Sequence, residues 1–235
     1  MNGTTIQIQS TEPGASTAFD CYLSLPAQAT KTPAIVLACA IHGVTKEIRD
    51  IADAFASAGY IAAAPDLFWR TVPGPLSRDD PRNPGRGQPR LPVLKTGEYD
   101  MRDTLSRVQQ LPQHNGRAMT MGFCFGGPYA IIGPKRLGYD AGMSCHGTQF
   151  KDFIEELDGL NKPVCIIWGD QDYAAPPEVQ AAYVAKTANL AHINVHIFPG
   201  VLHGFMMRNN EKAWSASTYQ FAMDQALGLL KGLGH

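Results

Sequence analysis

The chain has 235 residues, 20 of them basic and 21 acidic, for a formal net charge of -1. With 17% charged residues and no net basic balance, it has no bulk electrostatic drive toward nucleic acid or an anionic bilayer. No apolar run approaches the ~18 residues of a spanning helix, and the five cysteines lack CxxC spacing, so neither a membrane protein, a disulfide scaffold nor a structural zinc site is expected.

Residues 1–9 are polar and lack a basic stretch followed by an apolar one, so no secretory signal is read and a reducing cytoplasm is the expected location. Ile6 and Ile8, then Phe19, Cys21 and Leu23, alternate on either side of Pro13-Gly14 and predict an antiparallel hairpin with one buried face. Short continuous apolar runs follow at 34–40, 61–64, 118–123, 141–145, 164–168 and 193–198. Runs without alternation fit strands covered on both faces, as in a parallel sheet. Between them lie helical periodicities. Ile48, Ile51, Ala52 and Phe55 share a face that Gly59 ends, and Met101, Leu105 and Val108 share another that Pro112 ends. Two more helices are read at 178–188 and 213–231. The alternation predicts one α/β domain over 1–235, with a mostly parallel sheet, the N-terminal hairpin at its edge and helices on both faces. Chemistry in such sheets collects beyond the carboxyl ends of the strands.

Residues 71–97 break the rhythm, with prolines at 73, 75, 81, 84, 89 and 92 and glycines at 74, 85, 87 and 97. Arg78, Arg82, Arg86 and Arg90 recur every four residues, but the interleaved prolines argue against a helix. A long irregular loop with solvent-exposed arginines is expected.

The sharpest motif is Gly122-Phe123-Cys124-Phe125-Gly126-Gly127, between a strand-like and a helix-like run. It has the form of a nucleophile elbow with cysteine as the nucleophile. The turn leaves no room for side chains beside the nucleophile, hence the flanking glycines. A helix N-terminus behind Cys124 favours the thiolate, and the Phe125 amide points where an oxyanion forms. In this topology an acid and then a base follow the nucleophile, each just past a strand. Asp172, in Gly169-Asp170-Gln171-Asp172, and His203, in His203-Gly204-Phe205, occupy those places. His203 is then the base, Asp172 its orienting partner, and the Ile41 amide the second oxyanion donor. The chemistry is cleavage of a carboxylic ester or lactone through an acyl-thioester. A thiol-based redox or ligand-binding protein is the alternative; for the redox reading, Cys39 and Cys145 also end strands, which would bring them within reach of Cys124.

At these motifs, together with Ile-x-Gly-Val at 41–44 and Pro-Asp-Leu-Phe at 65–68, the chain resembles the dienelactone hydrolase (carboxymethylenebutenolidase) family of α/β-hydrolases. The resemblance implies an α/β-hydrolase fold and a monomeric or weakly dimeric cytosolic enzyme. It also implies a small-molecule substrate and no metal or organic cofactor. Members near the type enzyme carry a glutamate that holds the resting thiol, and Ala40 stands there in this chain. Cys124 is therefore expected to depend on His203 alone and to ionise without substrate. His42 replaces the motif's phenylalanine and either lines the pocket or caps a helix. The family's substrate-carboxylate arginines have only approximate counterparts: the four loop arginines, and Arg208 past the histidine motif. Trp69 and Arg70, just past a strand, are further substrate-binding candidates, and arginines at the pocket would select an anionic ester.

Overall fold

The computed structural model describes residues 3–15 and 17–234; Met1, Asn2, Ser16 and His235 lie outside the described residues. Eight strands form one sheet in the order β1-β2-β4-β3-β5-β6-β7-β8. They are β1 (Thr4–Gln9), β2 (Ala18–Ser24), β3 (Thr32–Ala38), β4 (Ile61–Pro65), β5 (His114–Phe123), β6 (Ala141–Cys145), β7 (Val164–Gln171) and β8 (Ile193–Leu202). The N-terminal hairpin pairs Ile6 with Cys21 and Ile8 with Phe19, and β2 continues antiparallel onto β4. All pairings from β4 through β8 are parallel. Every residue of β3, β4 and β6 is buried, so helices cover the sheet on both faces there. Among the described residues no helix is long and apolar enough to cross a membrane.

The helices are α1 (Lys46–Ser57), a single turn α2 (Asn83–Arg86), α3 (Arg90–Gln109), the short α4 (Tyr129–Ile132), α5 (Pro177–Thr187) and α6 (Ala216–Leu233). Helix α1 buries Ile48, Ile51, Ala52 and Phe55. It ends at Gly59, φ +99°, with Gly59 N–H donating to Ala56 C=O and Tyr60 N–H to Phe55 C=O, both at 3.0 Å. That is a Schellman cap, and it needs glycine in the left-handed region. Helix α6 starts three residues later than its periodicity suggests, because Ser215 caps it by accepting from Thr218 N–H.

The segment 71–97 departs from the expected irregular loop. Helix α3 begins inside it, at Arg90, and Pro92 sits in its first turn. The first four N–H groups of a helix have no intrahelical partner, so a proline there removes nothing. The first helical bond runs from Val93 N–H to Pro89 C=O, at 3.1 Å.

The chain passes from β3 through α1 to β4 on one side, then through α3 to β5 on the other side of β3. The order of connection thus reverses between β3 and β5, which opens a crevice at their carboxyl ends.

Candidate active site

The nucleophile elbow stands at that crevice. Cys124 directly follows β5 with φ +50°, a conformation costly for a residue with a Cβ and retained only where the surroundings enforce it. The surroundings are backbone. A Cβ on Gly122 would lie 2.0 Å from Gly126 C=O, and one on Gly126 would lie 2.2 Å from Ala38 C=O. Gly122→Ala should therefore cost at least about 3 kcal/mol of stability, read by urea denaturation, since neither backbone contact can retreat. The Cys124 carbonyl is fixed as well, accepting from Gly127 N–H and Thr148 N–H at 3.0 Å each. Behind it the helix is irregular: one tight turn over Cys124–Gly126, then α4, then one wide turn over Gly133–Leu137.

Asp172 directly follows β7 and His203 directly follows β8, and the two meet. His203 Nδ1 lies 2.8 Å from Asp172 Oδ1, whose side chain is fully buried. Asp172 Oδ1 also accepts from Ala174 N–H at 2.9 Å, which fixes the carboxylate before the histidine arrives. Burial opposes ionisation of the Cys124 thiol. The positive charge of His203, its hydrogen bonding, the charge of Arg90 and the Phe125 amide together outweigh that cost and pull the thiol pKa below its ordinary 9.0. Burial likewise opposes the His203 imidazolium. The Cys124 thiolate and the Asp172 carboxylate overcome it and raise His203 from 6.5 to about 10. Each group thus favours the charged form of the other. Arg90 adds to the His203 effect, so the thiol does not depend on His203 alone.

Ile41, expected as the second amide donor, lies in the turn after β3. Ala40 C=O accepts from Gly43 N–H at 2.8 Å. In a planar trans peptide this turns the Ile41 N–H the opposite way. Ile41 and Phe125 follow β3 and β5, the two neighbouring strands that flank the crevice.

Residues beyond the expected triad and amide pair also face the site. His146, directly after β6, is 1% exposed, adopts φ +43° and packs edge-on against His203 at 5.0 Å. Burial and the His203 charge hold it neutral, well below the ordinary histidine pKa. Tyr173 is 82% exposed and lies over the His203 ring at 5.0 Å. Arg90 reaches Thr148 Oγ1 at 3.3 Å and lies 5.9 Å from the Phe125 ring centre. The positions of His146 and Tyr173, immediately after a strand and after the acid, are the signals from which they can be found in a sequence. Arg90 is one of the four loop arginines, and nothing local marks it as the one beside the elbow.

Other candidates lie elsewhere. Trp69 donates to Asp100 Oδ1 at 3.0 Å, while Arg70 pairs with Asp100 at 2.7 Å and with Glu12 at 2.5 Å and lies against the Trp69 ring. Their polar groups are consumed in joining α3 to the N-terminal hairpin, which corrects the expected substrate-binding role. Burial lifts Asp100 to about 6 even with Arg70 beside it. Arg70→Ala should thus cost about 3 kcal/mol in thermal unfolding, because it strands a buried carboxylate, while KM stays unchanged. Arg208 stacks on Trp214 and Tyr219 and lines a separate cleft of about 540 Å³ with Lys46, Glu47 and Asp50 of α1. His42 is half-buried, lies near Arg78 and Asn83, and does not cap α1, whose N-cap is Thr45. Among the loop arginines Arg78 and Arg82 are exposed as expected, but Arg86 is 1% exposed. Cys39 and Cys145 are fully buried; burial pushes Cys39 up to about 12 and Cys145 well above its ordinary value, so neither supplies a thiolate.

A mostly parallel sheet with an elbow after its fifth strand, and an acid and a histidine after its seventh and eighth, defines an α/β-hydrolase, an enzyme of the ester- and lactone-cleaving class. The chain matches the model of the dienelactone hydrolase family over residues 19–232. It belongs to that family. It is 29% identical over 202 residues to a putative carboxymethylenebutenolidase of Azospirillum brasilense, spanning 82% of this chain and 84% of that one. To the carboxymethylenebutenolidase of Pseudomonas putida it is 25% identical, over 92% of each chain. A putative dienelactone hydrolase from Klebsiella pneumoniae superposes with a TM-score of 0.79 at 20% identity, covering 97% of this chain and 99% of that one.

Proposed function

We propose that the enzyme cleaves its ester or lactone through Cys124, with His203 as acid and base and Asp172 as the group that orients it. One observation carries this reading. Cys124 is held at φ +50° on the elbow, and the only histidine bonded to a buried carboxylate at that rim, among the described residues, is His203. The thiolate attacks the carbonyl carbon, and the oxyanion accepts from the Phe125 and Ile41 amides. The tetrahedral species collapses, the C–O bond breaks, and the His203 imidazolium gives its proton to the leaving alkoxide. An acyl-thioester remains on Cys124. His203, now neutral, takes a proton from water as it attacks, and collapse releases the acid and regenerates the thiolate.

Arg78 and Arg90 favour an anionic substrate, since the charges of both act on Tyr173 at the mouth. The exposed Tyr173 ring offers a flat apolar contact beside them. The reading is tested by acid-quenching the enzyme during turnover of p-nitrophenyl acetate and mapping the acetyl group by peptide mass spectrometry. The expected result is acetylation of the Cys124 peptide in step with a pre-steady-state burst. An acetyl group on another residue, or a single burst with no steady turnover, overturns it.

A further inference from the structure

The two oxyanion donors belong to different elements, and acyl transfer needs their spacing fixed. One buried dipeptide touches both. Arg86 Nη1 donates to Ile41 C=O at 3.3 Å, and Nη2 donates to Gly74 C=O. The guanidinium lies 4.7 Å from the Phe68 ring centre and 3.7 Å from the buried Asp66 carboxylate. The next residue, Gly87, faces the other donor: a Cβ there would sit 3.1 Å from two carbons of the Phe125 ring. Phe68 closes the cluster, with its ring 4.9 Å from that of Phe125.

The loop itself is held at three successive carbonyls. Ala40 C=O accepts from Gly43 N–H, Ile41 C=O from Arg86, and His42 C=O from Leu76 N–H at 2.9 Å. Two of these three donors come from the segment 74–87. The fit is tight, for a Cβ on Gly43 would lie 2.8 Å from Gly74 C=O and 3.0 Å from both terminal nitrogens of Arg86.

We propose that Arg86 and Gly87 form a brace that sets the distance between the Ile41 and Phe125 amides, making Arg86 a positioning residue for acyl transfer. This role rests on the oxyanion hole assigned above. The thiol is held chiefly by His203 and Arg90, with the Phe125 amide the smallest of the influences that lower its pKa, so a change in the brace falls mainly on the oxyanion and only slightly on thiolate formation. An amide displaced by a few tenths of an ångström loses most where negative charge is greatest, in the tetrahedral species.

Two variants test the brace. In Arg86→Lys, a single ammonium cannot hold the Ile41 and Gly74 carbonyls as the guanidinium fork does. In Gly87→Ala, the native φ of -98° suits alanine, and the new Cβ presses on the Phe125 ring at 3.1 Å while meeting Phe68 at an ordinary 3.6 Å. Expected are a fall in kcat of roughly 10- to 100-fold for Arg86→Lys and about fivefold for Gly87→Ala, with KM within about twofold. Affinity for a trifluoromethyl ketone, whose thiol adduct carries an oxyanion, should fall by about the same factors. Alkylation of Cys124 by iodoacetamide forms no oxyanion, and its rate should stay within about twofold of wild type. Alkylation and turnover falling together, or kcat unchanged in both variants, overturns the brace. If Arg86→Lys does not fold, Gly87→Ala decides alone. A wild-type enzyme without ester turnover overturns the hydrolase reading instead, and the ketone affinities then decide whether the brace exists.

Discussion

Cys124→Ala is expected to lower kcat/KM toward p-nitrophenyl acetate by at least about 10,000-fold, whereas Cys124→Ser should keep roughly a hundredth of wild-type turnover. The difference follows from the resting state. His203 and Arg90 lower the thiol pKa, so more of the proposed nucleophile is thiolate before substrate arrives than in a free cysteine. A hydroxyl in the same place has no ionised ground state, and His203 must take its proton during attack. The rest of the machinery survives the serine change, because the elbow is imposed by Gly122 and Gly126 against neighbouring backbone. Alanine removes the nucleophile outright and leaves only what the oxyanion donors contribute to attack by water. The measurement is steady-state turnover of each purified variant beside its thermal melting curve. A Cys124→Ala protein that keeps a tenth of wild-type activity would sink the assignment of the nucleophile.

The parts of the molecule legible in the sequence are those written in local pattern. Continuous apolar runs marked the parallel strands, and Gly59 marked the end of α1 because only glycine takes φ +99° without strain. The elbow, Asp172 and His203 could be placed because each directly follows a strand and the chain order of the three is fixed by topology. Segment 71–97 was not legible in this way. Its arginines recur every four residues, yet Arg86 is buried against Phe68 and Asp66, Arg82 pairs with Asp80 at the surface, and Arg90 opens α3 beside the elbow. Those fates are decided by partners distant in the chain, such as Ile41 for Arg86 and Thr148 for Arg90. Trp69 and Arg70 misled for the same reason. They lie shortly after β4 at the correct rim, but Asp100, about 30 residues on, captures both. His146 was passed over because it falls outside the nucleophile–acid–base order, although β6 delivers it to the same rim, against the His203 ring.

His203→Ala is expected to remove at least about 1,000-fold of kcat/KM and, in the same protein, to raise the thiol pKa. Burial is the largest influence on Cys124, and it disfavours the thiolate. Without the imidazolium only Arg90 and the Phe125 amide oppose it, so the thiol moves up toward or beyond its ordinary 9.0. Iodoacetamide alkylation at pH 7 should therefore slow by more than about 10-fold, since only the thiolate reacts. The wild-type pH profile carries the matching signs. Ester turnover rises with pH as the thiol ionises, with a midpoint below 9.0 because its pKa is lowered. Turnover then falls as His203 gives up the proton needed by the leaving alkoxide, near its raised value of about 10. Alkylation needs no such proton, so it should rise through the first midpoint and stay high through the second. Parallel alkaline limbs in the two profiles would mean that the upper midpoint reports something other than proton donation by His203. An unchanged alkylation profile in His203→Ala would mean that the imidazole does not hold the thiolate.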